Sequence, residues 1–213
     1  MITKQQIIHW LELTSDKYEN ERGYLTELDK SIGDADHGNN MHRGFQKVKA
    51  NLEGAADNDI KSILSMVAKT LISSIGGAAG PLYGTLFLKG AAGLKGSDEL
   101  TDADLLKFWE EGIKGVQSRG RAEADDKTMI DTLLPALETL KQGISDKEDT
   151  SDILKNMAQS AKKGMEETTP LIAKKGRASY LGERSKGHQD PGATSSYFMI
   201  NALADAVSNT TNK

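Results

Sequence analysis

Apolar side chains recur at every third or fourth position along almost the whole chain, and alternation of the strand kind is absent. Thr3 and Gln6 predict a capping box ahead of Ile7, Trp10, Leu11, Thr14 and Tyr18, a stripe that runs to Leu28 with a break near Gly23. A second helix is predicted after Gly38, carrying Met41, Phe45, Val48 and Leu52. A third starts near Asp57, carries Ile60, Leu64, Val67 and Leu71, and stops at Gly76-Gly77. Gly80-Pro81 opens a fourth, since proline suits a first helical turn. A fifth starts at Thr101 with Leu105, Trp109, Ile113 and Val116. The sixth follows Lys127-Thr128 with Ile130, Leu133, Leu134, Leu137 and Leu140, and Pro135 is a candidate kink. The seventh starts at Ser151 with Leu154, Met157, Ala161 and Met165, then meets Pro170. The eighth follows Pro191-Gly192 with Phe198, Ile200, Leu203 and Val207.

Eight helices with short connectors and no internal repeat predict an all-α chain with one domain over residues 1–213. Consecutive helices joined by short loops lie antiparallel. The loops before helices two, four, six and eight are therefore expected at one end. Most of the 21 glycines cluster in or beside those loops, where close backbone approach or positive φ is useful. Four helix N-termini would point to the same rim, a setting that suits an anion. The remaining connectors, such as Glu53–Asn58 and Gln142–Ser151, are acidic and read as solvated.

Composition narrows the function classes. The 213 residues carry 27 basic and 31 acidic side chains, a net charge of −4, so a nucleic-acid surface is not expected. There is no cysteine, hence no thiol nucleophile or zinc ribbon. No apolar run approaches a membrane span, and the opening residues lack the core of a signal peptide. A cytoplasmic protein is the expectation.

Four segments carry candidate chemistry. Asp29, Asp34 and Asp36 lie within eight residues, and carboxylates so close repel unless a cation sits between them. Oxygen-only donors point to a hard divalent ion, with magnesium a better match than an EF-hand calcium loop; an acidic capping loop in water is the competing reading. Ser73–Thr85 is neither a P-loop nor a dinucleotide fingerprint, since a helix precedes its glycines and no Gly-Lys-Ser/Thr follows. It offers backbone amides to an anion, or else forms a tight helix corner. Ser118–Met129 places Gly120 and Met129 where a flat ring could pack, although Lys127-Thr128 equally reads as a helix cap. Lys174–Thr194 is basic and glycine-rich, which suits phosphate or a plain surface loop. Of the histidines, His37 and His188 fall in the predicted rim, and no zinc pair or hydrolase triad is present.

Leu28–Asn40 with its I-G-D-A-D-H-G run, Gly76–Pro81, Ser118–Met129, and Lys175–Arg184 with His188–Thr194 resemble, in this order, the nucleotide-binding L subunit of bacterial dihydroxyacetone kinase. The resemblance covers essentially the whole chain. It implies an eight-helix antiparallel barrel with a nucleotide at one end. Two magnesium ions would be held by Asp29, Asp34 and Asp36 together with the phosphates. His37, Gly38, Asn39 and Asn40 would contact the phosphates, with Ala78 and Ala79 at the start of a helix. Gly120, Thr128 and Met129 would border the base, and Arg177 with Asp190, Pro191 and Gly192 would complete the site. The family can carry serine where this chain has Ala79. A stand-alone L subunit resembles the phosphotransferase-system type, in which bound ADP is phosphorylated by a phosphohistidine M subunit and ATP serves dihydroxyacetone held on a K subunit. An ATP-exchanging kinase subunit, a homodimer and a nucleotide-dependent contact with a transcription regulator are the open alternatives. No protein nucleophile is expected.

Overall fold

The Thr3 hydroxyl accepts the Gln6 amide at 3.3 Å, and the Gln6 side chain accepts the Thr3 amide at 2.9 Å. This is the predicted capping box, and it starts α1 (Lys4–Asn20) in the computed structural model, which describes residues 1–55 and 57–208. The first predicted helix is in fact two. The break falls at Glu21 rather than Gly23, and α2 (Arg22–Ile32) follows. The other helices are α3 (His37–Leu52), α4 (Ile60–Ser74), α5 (Ala79–Ala92), α6 (Asp102–Gly120), α7 (Ile130–Ser145), α8 (Thr150–Glu167) and α9 (Pro191–Ser208). The irregular stretch before α9 holds a 3-10 segment, Arg177–Ser185, broken at Gly182.

Eight of these nine helices close a ring. α1 packs on α3, each helix from α3 to α8 packs on the next, and α9 returns to α1. The extra helix, α2, packs on α3, α9 and the 3-10 segment. The short connectors favour antiparallel neighbours, while the long stretch between α8 and α9 is the exception. Two strands do occur, β1 (Ile2–Thr3) and β2 (Glu99–Leu100), paired antiparallel. At two residues each they are too short to leave a period in the sequence.

The ring is filled by the stripes. Trp10, Phe87, Phe108 and Trp109 meet inside it, with the Phe108 and Trp109 ring centroids 5.4 Å apart and edge to face. Such pairs add about 0.5–1.5 kcal/mol beyond area burial. The Trp10 indole N–H donates to the Met199 carbonyl at 2.8 Å, tying α1 to α9. Pro135 does not break α7. It has no N–H for the carbonyl of Asp131, four residues back, and α8 passes over that carbonyl with Gly164, whose Cβ, if present, would lie 2.2 Å from the oxygen. Among the described residues no helix is long and apolar enough to cross a membrane.

Candidate functional site

The loops before α3, α5, α7 and α9 meet at one end of the ring, around a cavity of about 490 Å³. That is within the size range of small-molecule and cofactor sites. Asp29, Asp34, Asp36, His37, Asn40, Ala78, Ala79, Gly120, Thr128, Met129, Arg177, Asp190, Pro191 and Gly192 all line it. Gly38 and Asn39 do not appear in its lining. A Cβ at Gly38 would sit 2.1 Å from the Arg22 carbonyl, and Asn39 Oδ1 accepts from Arg22 Nε at 2.6 Å, so both face α2. Gly80 serves the tight-corner reading, packed against the Ile75 carbonyl.

At the acidic pole, Asp29 is the last buried carboxylate of α2. Its Oδ2 accepts the amides of Asp36 and His37 at 2.8 and 3.1 Å, so it caps α3 from the preceding helix. The chain can fold back this tightly because residue 33 is glycine: a Cβ there would lie 2.0 Å from Asp29 Oδ1. Each of Asp29, Asp34 and Asp36 offers an oxygen within 4.8 Å of the others. Arg177 reaches in from the 3-10 segment, its Nη2 3.0 Å from Asp34 Oδ2, and balances one of the three charges. A hard divalent ion fits this donor set, which is all oxygen, converging and short of positive charge.

Four helix N-termini reach the cavity, but they are not equivalent. Asp29 takes amides of α3, Thr128 Oγ1 accepts the Ile130 amide of α7 at 3.1 Å, and Asp190 Oδ2 accepts the Ala193 amide of α9 at 2.7 Å. The N-terminus of α5, at Ala78-Ala79, has no side-chain cap. Its first amides, like those of Gly38 and Asn39 in α3, are left for an anion.

The floor is polar and buried. His37 Nε2 is 2.8 Å from Ser195 Oγ, which is 2.6 Å from the Tyr83 hydroxyl; that hydroxyl is also 2.9 Å from Ser196 Oγ, and Tyr18 donates to the Ser195 carbonyl at 2.7 Å. Burial pushes the His37 imidazole below its usual range, so the ring is neutral near pH 7. Burial also pushes the Tyr83 phenol up to about 12 and the Asp190 carboxyl up to about 7. Leu82, Val116, Met129 and Ile130 add an apolar part to the lining. Leu82, Val116, Ile130, Tyr83 and Lys127 line the cavity without standing among the predicted site residues. Val116 and Ile130 carry the same spacing as the core stripe, so no local signal separates them from it. His188, expected in the rim, is exposed and does not line the cavity; its backbone carbonyl accepts from Lys127 Nζ.

A family model described as the DAK2 domain matches residues 31–205. The chain is 46% identical over 206 residues to the ADP-binding subunit of the PEP-dependent dihydroxyacetone kinase of Escherichia coli (strain K12), covering 97% of this chain and 98% of that protein. It is 39% identical over 207 residues to the ADP-binding subunit of the PTS-dependent enzyme of Lactococcus lactis, covering 97% of this chain and all of that one (100%). In fold it matches the dihydroxyacetone kinase of C. freundii, solved in complex with AMP-PNP and Mg2+, with a TM-score of 0.70 at 23% identity; the match covers 93% of this chain and 33% of that one. The chain belongs to the DAK2-domain family and, within it, to the group of dihydroxyacetone kinase ADP-binding subunits.

Proposed function

We propose that this chain is the nucleotide-carrying subunit of a phosphoenolpyruvate-dependent dihydroxyacetone kinase. Bound ADP, with two Mg2+, would take a phosphoryl group from the phosphohistidine of an M subunit. The resulting ATP would pass it to a hydroxyl of dihydroxyacetone held on a K subunit, all in the cytoplasm. The observation that carries this reading is one cavity whose lining combines a carboxylate triad, an uncapped helix N-terminus and the apolar Leu82, Val116, Met129 and Ile130.

Each wall then has a task. Ala78 and Ala79 give backbone amides to the phosphates, and the missing hydroxyl at position 79 leaves those amides in place. Neutral His37, held from below by Ser195, and Asn40 orient the phosphate chain without adding charge. Gly38 and Asn39 contribute through the first turn of α3. The adenine lies between Leu82, Val116, Gly120, Thr128, Met129 and Ile130. Asp190, Pro191 and Gly192 close the far wall, and Arg177 sits over the phosphate end beside Asp34. Magnesium held by Asp29, Asp34 and Asp36 would neutralise phosphate charge, which is the main need of phosphoryl transfer. No nucleophile is required of this chain, because both reacting groups arrive on partners.

The reading is tested by native mass spectrometry of the purified protein. Retained ADP and magnesium, converted to ATP on adding phosphorylated M subunit, is the expected result. Protein that binds no nucleotide under any magnesium concentration would overturn it. Asp34→Asn should weaken magnesium-dependent nucleotide binding about tenfold or more, with the far-UV helical signal unchanged; calorimetric titration reads the first and circular dichroism the second.

A further inference from the structure

Lys127 is 1% exposed, among the largest fully buried side chains in the protein. It borders the cavity, yet its ammonium is committed elsewhere. Nζ donates to the carbonyls of Thr168 at 2.8 Å, Leu171 at 3.1 Å and Thr169 at 3.3 Å, and to that of His188. An ammonium has three N–H groups, so four carbonyls more than saturate it. Those carbonyls belong to the C-cap of α8, the turn that follows it, and the residues just before α9. The neighbouring side chain grips the same segment from the other side. Asp126 lies 3.6 Å from Lys174 Nζ and 3.9 Å from Lys175 Nζ, and its carbonyl accepts the Lys174 amide at 3.1 Å. Residue 127 has φ of +61°, a backbone conformation that a non-glycine residue adopts only where its surroundings hold it there.

The segment 168–190 supplies two stretches of the cavity wall, Lys175–Ala178 and Asp190 leading into Pro191-Gly192. Long segments of this kind open more readily than packed helices. We infer that Lys127 is a positioning residue: its ammonium, as a four-carbonyl clamp, holds the 168–190 segment shut against the cavity and thereby sets how slowly bound nucleotide leaves. The inference rests on the nucleotide reading of the cavity. A buried charge left without its partners, or carbonyls left without their donor, acts chiefly on dissociation rather than on encounter.

The test loads the full-length protein with N-methylanthraniloyl-ADP and Mg2+, then chases it with excess ADP and follows the fluorescence. Lys127→Met, which keeps the volume and removes the donors, should release the nucleotide about tenfold faster or more, with association within about threefold of the original protein. Where Lys127→Met does not fold, Lys127→Gln, which keeps two N–H groups, carries the same test. The chain has no cysteine, so Lys127→Cys gives a single thiol that can be aminoethylated in the unfolded state and refolded. This restores the ammonium at nearly the original reach, and slow release should return with it. Release unchanged in the Met or Gln variant overturns the clamp. So does fast release that aminoethylation fails to correct in a protein that melts like the original, because volume rather than the ammonium would then be the cause. If the original protein takes up no nucleotide, it is the reading of the cavity that fails, not the clamp.

Discussion

Single residues at the cavity are ruled by what lies under them. Asp190 caps α9 through the Ala193 amide, yet burial holds its carboxyl at about 7. Its ordinary value is near 3.8, so between those two limits the folded state keeps a proton that the unfolded chain has lost. Stability from this group is complete below about pH 4 and is lost as pH rises towards 7. Asp190→Asn, which still accepts at α9 but does not titrate, should remove this downward slope. Urea unfolding of nucleotide-free protein at several pH values between 4 and 7 checks it: the gap between variant and original should shift in favour of the variant as pH rises. Asp190 reads in sequence only as part of an Asp-Pro-Gly turn. Its burial comes from the tertiary fold, and after that burial and the Ala193 amide its charge state is tuned by Asp131, Lys127 and Asp29, none of them a sequence neighbour.

At the scale of elements, helices α7 and α8 are in contact through a glycine. Gly164 has the Asp131 carbonyl where its own Cβ would stand, and Asp131 in turn receives the amides of Asp125 and Thr128 at 2.5 and 2.7 Å. Gly164 thus packs α8 on the very residue whose carboxylate holds the loop that leads to Met129. Gly164→Ala should cost about 1–3 kcal/mol by overpacking, despite the better helix propensity of alanine. A thermal or urea melt measures this, and a stabilised variant would show that α8 can slide away at no cost. The helical stripes, the Thr3 capping box and the helix start at Thr101 are legible in the sequence because they are local, and all are present; that Thr101 also forms a capping box, with Asp104, emerges from the structure. The position of the first break was less legible, since Gly23 looks like the breaker but stands inside α2 with open space around it.

Across the whole molecule, charge is divided between the ends. Every arginine of the chain, Arg22, Arg43, Arg119, Arg121, Arg177 and Arg184, is exposed and sits on or beside the loops at the cavity end. The other end joins Lys4 to Asp98, Ile60 to Ser97 and Thr150 to Asp102, among mostly acidic connectors. Arg119 and Arg177 line the cavity beside its carboxylates and the other four arginines flank its loops; such surface guanidinium groups speed the approach of anionic partner surfaces, and salt screens them. On the function proposed above, association with the phosphorylated M subunit should slow by about tenfold between low salt and 0.5 M salt, as read by stopped-flow mixing. A salt-independent rate would mean that the arginines serve only the nucleotide.

Spacing and loop length, which act locally, were enough to read the eight helices of the ring, though not the separate α2, and the end at which four glycine-rich loops gather. The sequence also set the carboxylate triad, whose members lie within eight residues. Tertiary structure alone decided which loop residues face the cavity and which face a neighbouring helix. Gly38 and Asn39 turn to α2, His37 rests on Ser195 across a separation of 158 residues, and the ammonium of Lys127 gathers carbonyls 41 to 61 residues away. The physical reason is that burial and hydrogen-bond partners are properties of space, and only closure of the ring brings those distant groups within reach of one another.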